Sequence, residues 1–137
     1  MSAEPVLEAT IAIERERDIV TARQKGRELA ATAGFAGTDQ TLIATAISEV
    51  ARNIVVYAER GEILLRVVED GARRGVLVIA RDDGPGIADV ELALRDGYST
   101  TKSLGLGLPG ARRLMDELEI ASELGKGTTV TMRKWAR

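Results

Sequence analysis

Five consecutive apolar residues, Val76–Ala80, follow a turn-forming segment at 70–75 and precede the acidic pair Asp82 and Asp83. An unbroken apolar run of this length predicts a strand that is buried on both faces, and such a strand lies inside a sheet rather than at its edge. The chain therefore needs partner strands on both sides of this run. Four further segments read as strands, at 6–13, 62–69, 119–124 and 128–135.

Helical segments alternate with these strands. Asp18 is the expected N-cap of a helix that runs to Ala33, with Gly34 as its stop. A second helix is expected from Thr38 or Asp39 to about Glu59, and shorter helices at 88–94 and 108–115, with a mobile loop at 96–105. The pattern predicts a single domain over residues 1–137 of the α+β class, with a mixed, mainly antiparallel sheet and helices on one face.

Composition excludes several functional classes. Nineteen basic against 21 acidic residues give a net charge of −2, and aromatic residues are few, so neither phosphate neutralisation nor base stacking favours a nucleic-acid partner. Because Cys and His are both absent, disulfides, thiolate nucleophiles, zinc fingers and a phosphohistidine are excluded. The N-terminus lacks the pattern of a secretory signal, and no apolar run approaches the ~20 residues that span a bilayer. We expect a cytoplasmic protein with no membrane partner.

A carboxylate and an amide lie one turn apart on the second predicted helix. Asn53 falls inside the apolar arc of this helix, and Glu49 lies at its edge. A polar amide on the core side costs free energy unless it has a dedicated partner, and a Glu and an Asn at this spacing present two oxygens to one point. The simpler alternative is an Asn bonded to nearby backbone, with a solvated Glu49 beside Arg52.

A second motif, Asp82-Asp83-Gly84-Pro85-Gly86-Ile87, directly follows the predicted buried strand. A carboxylate at the end of a central strand, followed by two glycines, suits a site where backbone approaches a ligand closely. A plain turn explains the same residue types equally well.

Two glycine-rich motifs follow. The first, Gly105-Leu106-Gly107-Leu108-Pro109-Gly110, opens the predicted helix at 108–115, and the exposed amides of a helix N-terminus favour phosphate. No strand precedes it and no Lys-Ser/Thr pair follows, so neither the Rossmann nor the Walker A interpretation holds. The second, Gly125-Lys126-Gly127-Thr128-Thr129, reads by itself as a hairpin turn.

Taken in this order, the four motifs closely resemble the Bergerat ATP-binding fold of the GHKL superfamily. Within it the chain is similar to the RsbT-type serine/threonine kinases, the switch kinases of the stressosome, which are related to the anti-sigma factors RsbW and SpoIIAB. The resemblance covers about residues 11–135. The residues that carry it are Asp18-Ile19-Val20 with Ala22-Arg23-Gln24, Ala46-Ile47-Ser48-Glu49-Val50-Ala51-Arg52-Asn53, and Leu106-Gly107-Leu108-Pro109-Gly110.

The resemblance implies that the protein uses ATP and Mg²⁺. It assigns Asn53 as the Mg²⁺ ligand and Glu49 as the general base on an acceptor hydroxyl. Asp82 is expected to accept the exocyclic amine of adenine, with support from Thr128.

The remaining nucleotide contacts implied by the resemblance lie in the glycine-rich segments. The two glycines of the second motif are expected to let the chain pass close to the base. The phosphate loop is expected to hold the α- and β-phosphates, and the segment before it to cover the γ-phosphate. These nucleotide-binding residues are Gly84, Gly86, Ile87, Thr101, Lys102, Gly105, Leu106, Gly107 and Leu108.

The resemblance also implies a function in partner switching. The expected substrates are STAS-domain proteins of the RsbS and RsbR type, and the expected downstream target is a PP2C-type phosphatase similar to RsbU. An anti-sigma factor that sequesters a sigma factor is the alternative. A non-catalytic Bergerat domain within a larger assembly is a third possibility, which the intact pair of Glu49 and Asn53 disfavours.

Overall fold

The computed structural model describes residues 7–87 and 107–136. Within them, five strands form one sheet in the order β1-β2-β3-β5-β4. The strands are β1 (Glu8–Ile13), β2 (Gly61–Asp70), β3 (Arg73–Asp82), β4 (Glu117–Glu123) and β5 (Gly127–Trp135). The strand that contains the apolar run is therefore central, as its sequence predicted. Every neighbouring pair is antiparallel, so the sheet formed by the described residues is not mixed.

Strand β3 is longer than the apolar run. Val76 and Val78 are fully buried, whereas the strand continues outward as far as Arg73 and Asp82. The predicted six-residue loop before it is in fact a tight turn, because Asp70 of β2 already pairs with Arg73. Gly71 has a φ of 63° in this turn, a conformation that favours glycine.

The helices are α1 (Glu16–Thr32), α2 (Gly37–Asn53), a π-helix (Ile54–Ala58) and α3 (Gly107–Leu114). The prediction that Asp18 is the N-cap of α1 was wrong by one turn, since Arg15 is the cap residue. The Asp18 carboxylate nevertheless stabilises this helix start, because it accepts hydrogen bonds from the amides of Glu14 at 2.9 Å and Arg15 at 3.1 Å.

Helices α1 and α2 cover one face of the sheet. Alternate residues of β2 and β3 point toward them, and the pairs that share this face include Ile63 with Ala80 and Leu65 with Val78. The two helices approach each other closely at Gly26 of α1, where an added Cβ would collide with the side chain of Ile47. The α+β architecture with helices on one face is confirmed.

The second helix does not continue as an α-helix to Glu59. After Asn53 the winding changes to the π type, and Glu59 ends the segment with a φ of 70°. In an α-helix Tyr57 would lie on the buried side, three residues after the buried Ile54. The wider winding turns Tyr57 outward, and this side chain is 42% exposed.

Residues Gly37–Ala58 are long and apolar enough to cross a membrane, with a mean hydropathy of 1.2. Half of this segment is buried inside the domain, where α2 packs between α1 and α3. The apolar character of α2 therefore has a sufficient explanation in the protein core. The predicted helix at 88–94 and the predicted loop at 96–105 lie outside the described residues.

Candidate nucleotide-binding site

Two predicted site residues on neighbouring strands, Asp82 and Thr128, lie at one end of the sheet. Asp82, at the end of β3, is directly opposite Gly61 of β2 on one side and Thr128 of β5 on the other. Because opposed residues in antiparallel strands share a face, Asp82 and Thr128 both lie on the face covered by the helices. The structure thus brings together two residues that are 46 positions apart in the sequence.

Glu49 is buried deeper than its sequence pattern suggested. It is only 7% exposed, whereas Asn53 is half-buried, which reverses the predicted order of the two. The reason is that α3 packs on α2 at this level. Oε2 of Glu49 accepts a hydrogen bond of 2.9 Å from the Gly107 amide, the first residue of α3. Oε1 lies 3.7 Å from Nη1 of Arg52. The alternative of a solvated Glu49 is therefore wrong.

Asn53 is the last residue of α2, immediately before the π-helix. The described residues contain no cluster of three or more acidic side chains that could hold a metal ion by themselves. Mg²⁺ in phosphate-transfer sites keeps several waters and takes only one or two protein oxygens besides those of the phosphates. A single amide oxygen from the protein is therefore compatible with Mg²⁺, and the role of Asn53 as its ligand stays a prediction.

The Asp82 side chain is fixed by the loop that follows it. Oδ1 accepts a hydrogen bond of 2.8 Å from the Gly84 amide. Within the part of the chain that is described, Oδ2 has no hydrogen-bond partner. This second oxygen can accept a hydrogen bond from a ligand donor while the first holds the loop.

A hydroxyl network connects this loop to the β4–β5 hairpin. Ser122 Oγ accepts from the Ile87 amide at 2.7 Å and donates to the carbonyl of Gly127 at 3.1 Å. It also lies 2.9 Å from Oγ1 of Thr128. Because the one Ser122 proton goes to Gly127, Thr128 donates its own proton to Ser122. Thr128 Oγ1 is then left as an acceptor on the same sheet face as Asp82.

Sequence reasoning missed Ser122. Its signal was present in the alternation of β4, where Leu118 and Ile120 point toward the core and Ser122 continues the same face. A hydroxyl at the next core-facing position predicts a dedicated hydrogen-bond partner.

The two glycines of the Asp82 loop have packing reasons of their own. An added Cβ at Gly84 would lie 2.6 Å from the Cβ of Ala58 in the π-helix. Gly86 has a φ of 80°, and a Cβ there would collide with the backbone of Glu123. The loop is thus held between the π-helix and the β4–β5 hairpin. Its approach to a nucleotide base stays a prediction.

The phosphate-loop prediction is only partly within the described residues. Gly107 begins α3 with a φ of 65°, and Leu108 is 7% exposed. The amide of Gly107 points at the Glu49 carboxylate, which shows that an anion is accommodated at this helix start. The predicted residues Thr101, Lys102, Gly105 and Leu106 lie outside the described part.

Comparison with known proteins gives the family. A model described as "Histidine kinase-like ATPase domain" matches residues 13–134. The chain belongs to the histidine kinase-like ATPase family. This membership agrees with the antiparallel five-stranded sheet covered by helices on one face. The prediction of a GHKL-type fold is confirmed.

Two relatives within the histidine kinase-like ATPases refine this placement. The serine/threonine-protein kinase RsbT of Bacillus subtilis (strain 168) is 48% identical over 95% of this chain and 98% of its own length. An anti-sigma F factor of Geobacillus stearothermophilus is 33% identical over 71% of this chain and 70% of its own. The predicted resemblance to RsbT-type kinases and the predicted enzyme class, a protein serine/threonine kinase, are confirmed.

Two solved structures share the fold at lower identity. A Mycobacterium tuberculosis protein, solved as its RsbU and RsbW domains, matches with a TM-score of 0.66 and 24% identity. The match covers 97% of this chain and 34% of that one. The mycobacterial sensor histidine kinase MprB matches with a TM-score of 0.57 and 13% identity, over 96% of this chain and 99% of that one.

Proposed function

We propose that the protein is a Mg-ATP-dependent serine/threonine kinase that phosphorylates STAS-domain proteins in a bacterial partner-switching system. The observation that supports it most is the buried Glu49 carboxylate at the amide of Gly107, the start of the predicted phosphate helix. A candidate base and a candidate phosphate site are thus in direct contact. The 48% identity to RsbT over nearly the whole chain supports the same function.

The adenine end of the nucleotide is assigned to Asp82 and Thr128. Oδ2 of Asp82 and Oγ1 of Thr128 are both acceptors on one face of neighbouring strands, and the exocyclic amine of adenine has two protons to donate. A guanine base presents a carbonyl oxygen at the equivalent position, which two acceptors would repel. The pair therefore favours ATP over GTP.

The phosphate end is assigned to the start of α3 and to Asn53. Backbone amides at a helix N-terminus, together with the helix dipole, stabilise phosphate oxygens. Mg²⁺, when bound, neutralises charge that develops on the transferred phosphoryl group. Asn53, the last residue of α2, is the residue proposed to hold it.

The transfer step uses Glu49 as the base. The acceptor hydroxyl oxygen forms a bond to the γ-phosphorus while the bond to the bridging β–γ oxygen breaks, and ADP leaves. Glu49 takes the hydroxyl proton, which requires its carboxylate to be ionised and turned toward the acceptor. Transfer to a serine or threonine of a STAS-domain protein, of the RsbS or RsbR type, follows from the similarity to RsbT.

Phosphorylation is proposed to separate the kinase from its substrate. A new phosphate adds about −1.5 to −2 charges at the docking surface. Those charges face Glu49, Asp82 and Asp83, and the repulsion favours release. The released kinase would then activate a PP2C-type phosphatase similar to RsbU, and the reactions would take place in the cytoplasm.

The test is a transfer assay with γ-labelled ATP, Mg²⁺ and the STAS-domain proteins encoded in the same genome. We expect acid-stable label on one of them, and loss of its complex with the kinase after stoichiometric phosphorylation. Label on the kinase alone, or a complex that survives full phosphorylation, contradicts the proposal. Glu49→Ala is the matched control that should bind nucleotide without transferring phosphate.

An anti-sigma factor is the second candidate, because several anti-sigma F factors are 30–34% identical to the chain. Each match covers about two thirds of the chain, less than the match to RsbT does. Co-purification of a sigma factor in the presence of ATP would favour this function. Sequestration and kinase activity are compatible in one protein.

A further inference from the structure

The two carboxylate oxygens of Glu49 are held by two different elements. Gly107 of α3 donates to Oε2 at 2.9 Å, and Arg52 of α2 lies beside Oε1 at 3.7 Å. The Glu49 side chain is 9% exposed, so it has little water to replace either partner. A buried carboxylate that loses its partners is strongly destabilised. Both contacts therefore control where the carboxylate points.

One of these contacts competes with the proposed phosphate site. The Gly107 amide has a single proton, and it cannot donate fully to Glu49 and to a phosphate oxygen at the same time. When a phosphate takes this amide, Oε2 of Glu49 is released. Oε1 keeps its neighbour, because Arg52 belongs to the same helix as Glu49 and does not depend on α3.

We propose that Arg52 is a positioning residue, which holds Glu49 by Oε1 while Oε2 turns from the Gly107 amide to the acceptor hydroxyl. The inference deepens the proposed kinase function and depends on it. Arg52 is suited to this role by its place in the last turn of α2, where the helix dipole favours a cation. Its side chain is 36% exposed, so the guanidinium can follow the carboxylate without itself being buried.

The test compares Arg52→Ala and Arg52→Lys with wild type. A third variant, Lys25→Ala, is the matched control, because Lys25 and Glu28 form an ion pair of the same spacing at 3.3 Å on the exposed side of α1. Steady-state transfer from ATP to the cognate STAS-domain protein gives kcat and KM for ATP. Calorimetry gives the Kd for ADP with Mg²⁺.

We expect Arg52→Ala to lower kcat by about tenfold or more, the size of effect expected from a misplaced general base. KM for ATP and Kd for ADP should stay within about twofold of wild type. Arg52→Lys should recover most of the lost kcat, since it restores a cation on the same helix face. Lys25→Ala should behave as wild type.

Three outcomes overturn the role of Arg52. An unchanged kcat in Arg52→Ala shows that Glu49 needs no such partner. A Kd for ADP in Arg52→Ala that rises well beyond this twofold range shows that Arg52 contacts the nucleotide instead. An equal loss of kcat in Lys25→Ala shows that removing an ion pair elsewhere in the protein has the same effect. If wild type binds ADP but transfers no phosphate to any STAS-domain protein, the proposed kinase function fails first, and the role of Arg52 falls with it.

Discussion

The Asp82 carboxylate accepts a hydrogen bond from the amide of Gly84, two residues further along the chain, across 2.8 Å. This local contact fixes the carboxylate before any ligand arrives, so little side-chain entropy remains to be lost on binding. It also determines how a substitution at Asp82 behaves.

Asp82→Asn should weaken nucleotide binding by about 10–100-fold, as expected for loss of a hydrogen bond to a charged acceptor. The Asn carbonyl oxygen can replace Oδ1 toward Gly84, which leaves its NH₂ group facing the adenine amine, donor against donor. Calorimetry with ADP and Mg²⁺ measures the effect. Asp83→Asn is the matched control on the adjacent exposed residue, and equal affinities for the two variants would refute the adenine contact.

Glu49→Ala should separate binding from transfer. The rate of phosphoryl transfer should fall on the order of 10²–10⁴-fold, because a general base is lost. Affinity for ADP should be retained or increase, since the Gly107 amide no longer has a carboxylate as a competing partner. Glu69→Ala, at the far end of β2, serves as the control. A large loss of ADP affinity in Glu49→Ala would count against the competition at Gly107.

Asn53→Ala should weaken binding of the Mg²⁺-nucleotide complex by about tenfold, equivalent to roughly 1.4 kcal/mol. The same variant should match wild type when ADP is titrated in the presence of EDTA, since the lost contact is to the metal. If Asn53→Ala binds ADP in the presence of Mg²⁺ as tightly as wild type does, Asn53 is not the Mg²⁺ ligand.

Ser122→Ala should destabilise the fold by about 1–3 kcal/mol, because it leaves the Ile87 amide without its partner. Nucleotide affinity should fall as well, since Thr128 loses the hydrogen bond that orients its hydroxyl. Thr131→Ala in the same hairpin, on the opposite sheet face, should have a much smaller effect on both. Urea denaturation and ADP titration measure the two quantities.

Asp18→Ala should show a stability difference that depends on pH. The amides of Glu14 and Arg15 donate to the Asp18 carboxylate and lower its pKa in the folded state. Its contribution is therefore fully present above the unfolded value of about 3.9 and is lost as the pH falls through the lowered folded value. Denaturation midpoints of wild type and variant should differ at pH 7 and converge as the pH falls below about 3.9. A difference that is independent of pH would exclude the carboxylate as its cause.

Much of the fold could be predicted because it follows from local patterns. The apolar run of β3 indicates by itself that this strand is buried, and the alternation of β1 and β2 indicates which of their residues face the core. Turn residues such as Gly71 and Gly125 marked the hairpins, although the first turn proved tighter than predicted. These features depend on residues that are near one another in the sequence, so the sequence alone contains enough information.

The site was less predictable because its geometry depends on contacts between distant elements. The helical period places Glu49 at the edge of an apolar arc, and only the packing of α3 makes it buried. The role of Ser122 requires the loop at Ile87 and the β4–β5 hairpin to meet, 35 residues apart. No local propensity distinguishes the π-helix from a continued α-helix, since both suit the residues Ile54–Ala58.

The π-helix also sets the register between α2 and β2. A π-turn is equivalent to an α-helical turn that carries one additional residue. If all five residues Ile54–Ala58 took α winding instead, the residues after them would be rotated by about 100° around the helix axis. Gly61 would no longer reach its place opposite Asp82, and Ala58 would leave the position where it contacts Gly84. The wider winding therefore absorbs one residue between α2 and β2 and keeps both elements in place.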